Sequence, residues 1–259
     1  MNEPARAPRF LSEHELADYR RDGFLVCRGL FGPDEVAELR RATEEVQAWP
    51  ELPDVWMAYG EQSLRETSRR LINRIENFYP YHPGFKAIFD GDKLLGRSSD
   101  LLGGSAVLFK DKINFKLPGG DGFKPHQDQQ AGWSVYAPLF VTALVAIDEA
   151  TEANGCLELA AGHHTRALIG REWAPLSDED LRGVEFAPYP TAPGDTVFFD
   201  SYVPHRSGPN LSAEPRRVLY VTYNRLADGD HRVRYYADKR RSYPPDVERE
   251  PGRQYVYRV

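Results

Sequence analysis

The sequence predicts an α+β fold in which a helix-rich N-terminal part supports a β-sandwich or β-barrel. Amphipathic segments with helix-capping residues come first, and from about residue 105 short apolar segments alternate with glycine and proline turns. The 259 residues suit one large domain or two small ones, and no linker or repeat divides them. We therefore expect one domain, 1–259, with a helix-rich part at 1–104, a β core at about 105–225 and a C-terminal extension at 226–259.

The first elements are predicted to be a helix, a strand and a second helix. Ser12 and Glu15 form a capping-box pattern, which marks the start of the first helix. Residues 23–27 are apolar and predict a short strand. Pro33 opens the second helix, and an apolar stripe typical of a scaffold helix follows it, formed by Val36, Leu39 and Val46.

The next segments give weaker signals. Residues 64–75 could be helical, and residues 74–79 alternate before they meet two prolines. Residues 84–102 predict a helix that is broken at Gly91. The β core is then predicted to contain strands at 106–109, 113–117, 139–147, 156–159, 196–199 and 218–223. The segment 139–147 is continuously apolar, which predicts a buried strand.

Composition narrows the class of protein. Hydrophobic residues make up 41% and charged residues 28%, as in ordinary soluble domains. The net charge of -6 and the absence of a basic run argue against a nucleic-acid partner. No apolar run is long enough for a membrane span, and the N-terminus does not resemble a signal peptide, so we expect a cytoplasmic protein. The two cysteines are far apart, which argues against a cysteine zinc site.

The segment His126-Gln127-Asp128 is the most informative motif, and it follows a glycine-rich turn. On an extended strand, His126 and Asp128 would point to the same face. An imidazole and a carboxylate on one face are two of the three ligands of the 2-His-1-carboxylate facial triad of non-heme Fe(II) oxygenases. The motif is weak by itself because histidine and acidic residues often fall at this spacing by chance.

The third ligand is predicted to be His205, which follows the strand at 196–199. The flanking Pro204, Gly208 and Pro209 predict a rigid turn, and a metal ligand requires such a fixed mount. Ordinary core or surface roles are expected for the other histidines of the chain, which are His14, His82, His163, His164 and His231.

Arg216 precedes the strand at 218–223 and is a candidate carboxylate anchor. A guanidinium binds a carboxylate through two parallel hydrogen bonds. Oxygenases that use 2-oxoglutarate require such an anchor for the distal carboxylate of this cosubstrate. Arg216 and Arg217 should point to opposite faces of the sheet, and we expect Arg217 to be a solvated surface charge.

Together these segments resemble the phytanoyl-CoA dioxygenase superfamily of Fe(II)- and 2-oxoglutarate-dependent oxygenases. The resemblance covers most of the chain and includes residues 22–26, 112–116, 126–128, 154–157, 193–195 and 205–216. It implies a double-stranded β-helix, a jelly-roll or cupin-like core, supported by the N-terminal helices. It also implies Fe(II), 2-oxoglutarate and O2 as cofactor and cosubstrates.

The resemblance implies roles for four residues. His126, Asp128 and His205 would bind Fe(II) and form the catalytic centre, and Arg216 would bind the tail of 2-oxoglutarate. Because Asp128 is present, the chain is expected to be a hydroxylase and not one of the related halogenases, which lack this carboxylate.

Further contacts to 2-oxoglutarate are implied at Lys110 and Asn114, where similar enzymes use polar groups. Lys112 and Lys116 compete with Lys110 for this role. Ser207 is a further candidate contact to the cosubstrate.

Substrate contacts are predicted in two segments, and the residues are Arg74, Asn77, Tyr79, Gln129, Trp133 and Tyr136. Arg74 would suit an anionic group such as a carboxylate or phosphonate. The alternative for Arg74 is an ion pair with Glu76 or another local acid, and the alternative for Trp133 is ordinary core packing.

The predicted function is hydroxylation of an unactivated C–H bond in a small polar metabolite, with succinate and CO2 as co-products. Residues 74–78 and 235–240 are similar to bacterial members of the family that act on such metabolites, aminoalkylphosphonates among them. One alternative is the same core catalysing desaturation, cyclisation or epoxidation. Another is a non-catalytic cupin-like barrel that binds a metal or ligand, although such a barrel would not need Arg216. We expect a monomer or a small homo-oligomer.

Overall fold

The computed structural model describes residues 10–255. Residues 1–9 and 256–259, which belong to the predicted N-terminal part and C-terminal extension, lie outside the described residues. The α-helices are α1 (Glu13–Asp22), α2 (Pro33–Gln47), α3 (Pro83–Phe89), α4 (Arg97–Leu102) and α5 (Arg232–Ser242). The strands are β1 (Phe24–Cys27), β2 (Met57–Gln62), β3 (Arg70–Glu76), β4 (Ala106–Asn114), β5 (Phe123–His126), β6 (Val141–Ala146), β7 (Leu157–Leu159), β8 (Ala187–Tyr189), β9 (Thr196–Asp200), β10 (His205–Ser207) and β11 (Val218–Arg225).

The strands form two antiparallel sheets. The larger sheet has the order β1-β9-β6-β11-β4-β3-β2, and the smaller sheet has the order β5-β10-β7-β8. From β4 to β11 the chain passes repeatedly between them, with β4, β6, β9 and β11 in one sheet and β5, β7, β8 and β10 in the other. This arrangement is a jelly roll, and the predicted α+β fold with a jelly-roll core is confirmed.

The buried strand predicted from the apolar run is β6, and all six of its residues are buried. Val141, Ala143 and Val145 pack in the core cluster that includes the helices. Leu144 packs in a second cluster that contains residues of both sheets. Because the strand is covered on both faces, its sequence is apolar throughout and does not alternate.

The N-terminal helices form as predicted. Ser12 caps α1, and its side chain and that of Glu15 form the reciprocal hydrogen bonds of a capping box. The apolar stripe of α2 is buried in the same cluster as the outer face of β6. The segment broken at Gly91 forms α3, a π-helical turn at Asp92–Gly96, and α4. These helices therefore support the larger sheet on one side.

Two predictions of local structure are wrong. Residues 64–75 are not helical. Half of them, residues 70–75, belong to β3, which lies between β2 and β4 in the larger sheet and is held there by its pairing with both. The two strands predicted at 106–109 and 113–117 are joined in one continuous strand, β4, which ends at Asn114, so residues 115–117 lie outside it. Its middle carries Lys110, Asp111 and Lys112, whose charges interrupt the apolar pattern although Lys110 and Asp111 are buried.

Helix α5 returns the C-terminal part of the chain to the larger sheet. Arg232 forms an ion pair with Asp111 at 2.7 Å, and Lys239 forms one with the fully buried Glu76. Tyr235 of the same helix is buried. These contacts place one face of α5 beside β4. Within residues 10–255, no helix is long and apolar enough to cross a membrane.

Candidate metal and cosubstrate site

The predicted triad comes together where the two sheets face each other. His126 ends β5 and pairs across the smaller sheet with His205, the first residue of β10. Asp128 begins the short 3-10 turn Asp128–Ala131, so a turn and not strand alternation positions it. The Nε2 atom of each histidine lies 3.9 Å from Oδ1 of Asp128. Among the described residues, these three form the one group that could hold a metal ion, with ligand atoms within 4.8 Å of one another.

Backbone carbonyls fix both imidazole rings. Nδ1 of His126 donates to the Lys124 carbonyl at 2.7 Å, and Nδ1 of His205 donates to the Val203 carbonyl at 3.0 Å. With the proton on Nδ1, the Nε2 lone pair of each ring is directed toward Asp128 and is available to a metal. The rings lie 4.2 Å apart between centroids.

The charge states suit a divalent cation. Burial, together with the neighbouring His205, lowers the pKa of His126 to about 3. Burial also lowers the pKa of His205, so both rings are neutral at pH 7. Burial alone would raise the pKa of Asp128, but the two histidines and nearby lysines outweigh it and lower that pKa. Two neutral nitrogen donors and one carboxylate are the donor set of a non-heme Fe(II) site.

A pair of threonines supports Asp128, and the sequence analysis did not identify them. The Thr142 hydroxyl on β6 donates to Oδ2 of Asp128 at 3.2 Å and lies 2.9 Å from the Thr222 hydroxyl on β11. Both threonines are buried on the face of the larger sheet that is turned toward the triad. The available signal was the presence of a polar residue inside each of two otherwise apolar strands.

Replacing Thr142 with valine is expected to weaken Fe(II) binding by about 10-fold or more, because the carboxylate loses the contact that orients it. An anaerobic Fe(II) titration measures this effect. Thr43→Val is the matched control, since Thr43 is buried in α2 and its hydroxyl has no hydrogen-bond partner within residues 10–255. Equal Fe(II) affinities of the two variants would contradict the orienting role of Thr142.

The guanidinium of Arg216 is buried and forms no hydrogen bond of normal geometry with the described residues. Its side chain is 1% exposed, and none of its three guanidinium nitrogens has a hydrogen-bond partner of normal geometry in the part of the chain that the structure describes. Arg216 acts on the buried Tyr220 hydroxyl, whose pKa is raised by burial while Arg216 opposes the rise. A buried guanidinium without a partner is unfavourable, and a carboxylate bound to it would supply the missing hydrogen bonds.

The surroundings of Arg216 supply further polar groups. Oδ1 of Asn114 is buried and has no partner among residues 10–255. The Lys116 ammonium donates to the Ser207 hydroxyl and to the Gly208 carbonyl, each at 2.6 Å. Lys116 is therefore engaged by the protein, and the Ser207 hydroxyl keeps its own proton to donate to a carboxylate. Burial and then Arg216 lower the pKa of Lys116 to about 6.

The triad lines one cavity, and a second cavity lies next to that one. The inner cavity has a volume of about 30 Å³, and its walls include the triad, Asn114, Ser207 and Tyr220. The outer cavity has a volume of about 650 Å³, within the range of small-molecule sites. Lys110 and Ala131 line both cavities, so the two cavities share a wall. Its charged residues are Lys110, Lys239, Arg241, Arg253, Glu172 and Asp238.

Lys112 belongs to the inner cavity, where its ammonium lies 4.4 Å from the centroid of the Tyr220 ring. Burial, followed by repulsion from Lys110, lowers the pKa of Lys112 to about 7.

Only two of the predicted substrate contacts line these cavities. Trp133 lines the inner cavity, and Tyr136 lines the outer one, where its hydroxyl donates to Asp238 at 2.7 Å. Glycine at position 132 has a φ of +73°, and a Cβ there would collide with the Trp173 ring at the rim.

The other four predicted substrate contacts line neither cavity, and the structure gives each of them a different partner. Arg74 forms the ion pair with Glu76 that was the alternative to a substrate contact; the two side chains are buried and 2.8 Å apart. Asn77 accepts from Arg232, Tyr79 bonds Asp90, and Gln129 donates to the Ala137 carbonyl.

Arg217 does point away from Arg216, but it is not solvated. It forms an ion pair with Asp148 at 2.7 Å, and each side chain is only 12% exposed.

A profile of the phytanoyl-CoA dioxygenase (PhyH) family matches residues 19–218. The chain is 38% identical over 247 residues to the 2-aminoethylphosphonate dioxygenase of the uncultured bacterium HF130_AEPn_1, which covers 95% of this chain and 94% of that protein. It is 37% identical over 234 residues to the methylphosphonate hydroxylase of Gimesia maris, with 90% and 88% covered.

Solved structures share the fold. The crystal structure of EctD from S. alaskensis with 2-oxoglutarate and 5-hydroxyectoine has a TM-score of 0.73 at 22% identity, covering 100% of this chain and 89% of that one. The 2-oxoglutarate-dependent carbocyclase SnoK from nogalamycin biosynthesis has a TM-score of 0.68, also at 22% identity, covering 85% and 88%. At these identities the similarity establishes the architecture.

Proposed function

The chain belongs to the phytanoyl-CoA dioxygenase family of Fe(II)- and 2-oxoglutarate-dependent oxygenases, and on this premise we propose that it hydroxylates a small aminoalkylphosphonate. The observation that carries the proposal is similarity along almost the whole chain to a 2-aminoethylphosphonate dioxygenase. The outer cavity supports it, since its walls carry both cations and carboxylates and thus suit a zwitterion.

In this proposal His126, Asp128 and His205 hold Fe(II) and are the catalytic centre. Bound Fe(II) and 2-oxoglutarate supply the oxidising chemistry with O2, and succinate and CO2 are the co-products. Asp128 contributes the one negative charge of the ligand set, and Thr142 keeps the carboxylate oriented. The carbonyls of Lys124 and Val203 keep both imidazoles in the tautomer that can ligate.

Arg216 receives the distal carboxylate of 2-oxoglutarate, and Asn114 and Ser207 contact the same molecule. The support for Arg216 is its buried guanidinium, which a carboxylate would satisfy through two hydrogen bonds. The inner cavity holds only about one water molecule, so side chains must move when the five-carbon cosubstrate binds. Lys112 has a long flexible side chain in this wall and is the residue that we expect to move.

The carboxylates of the outer cavity favour a substrate with an ammonium group over methylphosphonate. Asp238 accepts from Tyr136, and Glu172 lies at the same cavity. Asp238 is already paired with Arg241 and Arg234, so Glu172 is the carboxylate that an ammonium group of the substrate would meet. A substrate that lacks the ammonium would lose this contact.

The proposed setting is the cytoplasm, and the proposed assembly is a monomer or small homo-oligomer acting on a small molecule, with no nucleic-acid or membrane partner. Cys27 and Cys156 are both free thiols, which suits a reducing compartment.

A substrate screen tests the function. The purified enzyme with Fe(II), 2-oxoglutarate and O2 is offered 2-aminoethylphosphonate, methylphosphonate, taurine and β-alanine, and succinate is measured. We expect 2-aminoethylphosphonate to give the highest kcat/KM and a product that contains one additional oxygen atom.

Three results would contradict the proposal or redirect it. Turnover of the carboxylate or sulfonate in preference to both phosphonates would exclude phosphonate specificity. A product that has lost two hydrogens would identify a desaturase. If no visible charge-transfer band formed with Fe(II) and 2-oxoglutarate under anaerobic conditions, the chain would be a binding barrel and not an oxygenase.

A further inference from the structure

Strand β4 presents a row of polar side chains to the two cavities. Every second residue of this part of the strand points to the same face, and these residues are Asn114, Lys112 and Lys110. All three line the inner cavity. At about 3.4 Å per residue, Asn114 and Lys110 are separated by roughly 13 Å along the strand. The row is therefore long enough to reach across the whole site.

The two ends of this row face different parts of the site. Asn114 pairs with Val218, close to Arg216, at the proposed cosubstrate end. Lys110 pairs with Thr222, whose hydroxyl contacts the threonine that supports Asp128. Lys110 thus lies beyond the triad as seen from Arg216. A cosubstrate whose tail binds Arg216 and whose other end reaches the triad does not extend to Lys110.

Lys110 lies instead at the junction with the outer cavity. It lines both cavities, and its ammonium is 5.4 Å from the Trp133 ring and 5.7 Å from the Tyr235 ring. The ammonium of Lys239, which also lines the outer cavity, is 5.9 Å from the same Tyr235 ring. Two lysines from different elements therefore converge on one aromatic wall.

Several cations meet at this junction. Arg74, Lys110 and Lys239 all interact with the carboxylate of Glu76, which is fully buried. Burial lowers the pKa of Lys239 well below its usual value; Lys110 and Arg74 add to this effect, and Glu76 opposes it. A doubly charged anion beside Lys110 and Lys239 would favour the protonated form of both amino groups.

We propose that Lys110 and Lys239 bind the phosphonate group of the substrate, and that Lys110 does not contact 2-oxoglutarate. This assignment rests on the proposed function and names the subsite within it. A phosphonate offers three oxygens and up to two negative charges, so it can accept from both ammonium groups at once. A sulfonate or carboxylate carries one charge and compensates the junction less completely.

The test uses the Fe(II)-loaded enzyme and the Lys110→Met variant, which removes the charge and keeps an unbranched side chain. We expect the KM for 2-aminoethylphosphonate to rise by about 10- to 100-fold, because the substrate loses one charge-assisted hydrogen bond. The KM for 2-oxoglutarate should stay unchanged. Lys110→Arg should recover part of the substrate affinity, and Lys239→Met should change the substrate KM in the same direction.

Lys93→Met is the matched control, since Lys93 pairs with Glu35 on the surface and is 40% exposed. It should leave both KM values unchanged. A rise in the 2-oxoglutarate KM of Lys110→Met, with an unchanged phosphonate KM, would overturn the assignment and place Lys110 at the cosubstrate.

Direct binding separates this inference from the proposed function. Inorganic phosphate is titrated calorimetrically into the anaerobic enzyme loaded with Fe(II) and 2-oxoglutarate. If the wild type turns over no phosphonate, the proposed function fails, but weaker phosphate binding by Lys110→Met would still support the anion subsite. Equal phosphate affinity of the wild type and the variant would overturn it.

Discussion

Replacing Asp128 with alanine is expected to abolish hydroxylation. The variant keeps two neutral imidazoles and loses the only carboxylate among the described residues that line the inner cavity. Mutation of an outer-shell contact typically reduces activity by about 10- to 100-fold, and the loss of a direct metal ligand should reduce it by far more. Succinate formation at saturating Fe(II), together with the iron content of the protein, measures the effect.

Asp178→Ala provides the control for the Asp128 experiment, because Asp178 is exposed and lies outside both cavities. It should keep full activity. The wild type in chloride should form a hydroxylated product and no halogenated product, since Asp128 occupies the ligand position that a halide would need. Full activity of an iron-loaded Asp128→Ala enzyme would remove Asp128 from the site.

Replacing Arg216 with methionine is expected to have two opposite effects. The KM for 2-oxoglutarate should rise on the order of 100-fold, because the distal carboxylate loses a bidentate partner. Without cosubstrate, the variant should unfold at a higher temperature than the wild type, because the buried guanidinium has no regular hydrogen-bond partner within residues 10–255 and its removal relieves an uncompensated charge. Steady-state kinetics and thermal unfolding measure the two effects.

The neighbouring arginine gives a matched comparison. Arg217→Met removes the partner of the buried Asp148, so it should lower the unfolding temperature and leave the 2-oxoglutarate KM unchanged. Added 2-oxoglutarate should stabilise the Fe(II)-loaded wild type and Arg217→Met, and should have little effect on Arg216→Met. If Arg216→Met were less stable than the wild type without cosubstrate and bound 2-oxoglutarate normally, Arg216 would be a structural residue.

Local signals in the sequence predicted much of the fold. The capping box at Ser12, the proline that opens α2 and the apolar run of β6 each depend on neighbouring residues, and each formed as expected. The predictions of local structure failed where residues that are distant in the sequence determine that structure. Strand β3 is stabilised by pairing with β2 and β4. The charges in the middle of β4 are accommodated by the ion pair of Asp111 with Arg232 and by the inner cavity that Lys110 and Lys112 line.

The sequence by itself determined which donor groups are the candidates for the site. His126, Asp128, His205 and Arg216 were predicted from their residue types, their local context and the family resemblance, because the donor types that an iron and a carboxylate require are few and fixed. The roles of Thr142 and Thr222 could not be assigned from the sequence, since a threonine in an apolar strand is visible there but its hydrogen-bond partner is not.

Only the tertiary structure decided which side chains gather around the outer cavity. In the sequence, basic residues are scattered and form no patch, whereas the fold gathers Lys110 from β4 and Lys239 from α5 at one aromatic wall. In the folded chain Arg74 pairs with Glu76, so it is not available for the predicted contact to the substrate. Spacing along the chain specifies which donor groups are available, but the electrostatic field in a cavity sums over all nearby charges. Residues far apart in the sequence become neighbours only through strand pairing and helix docking.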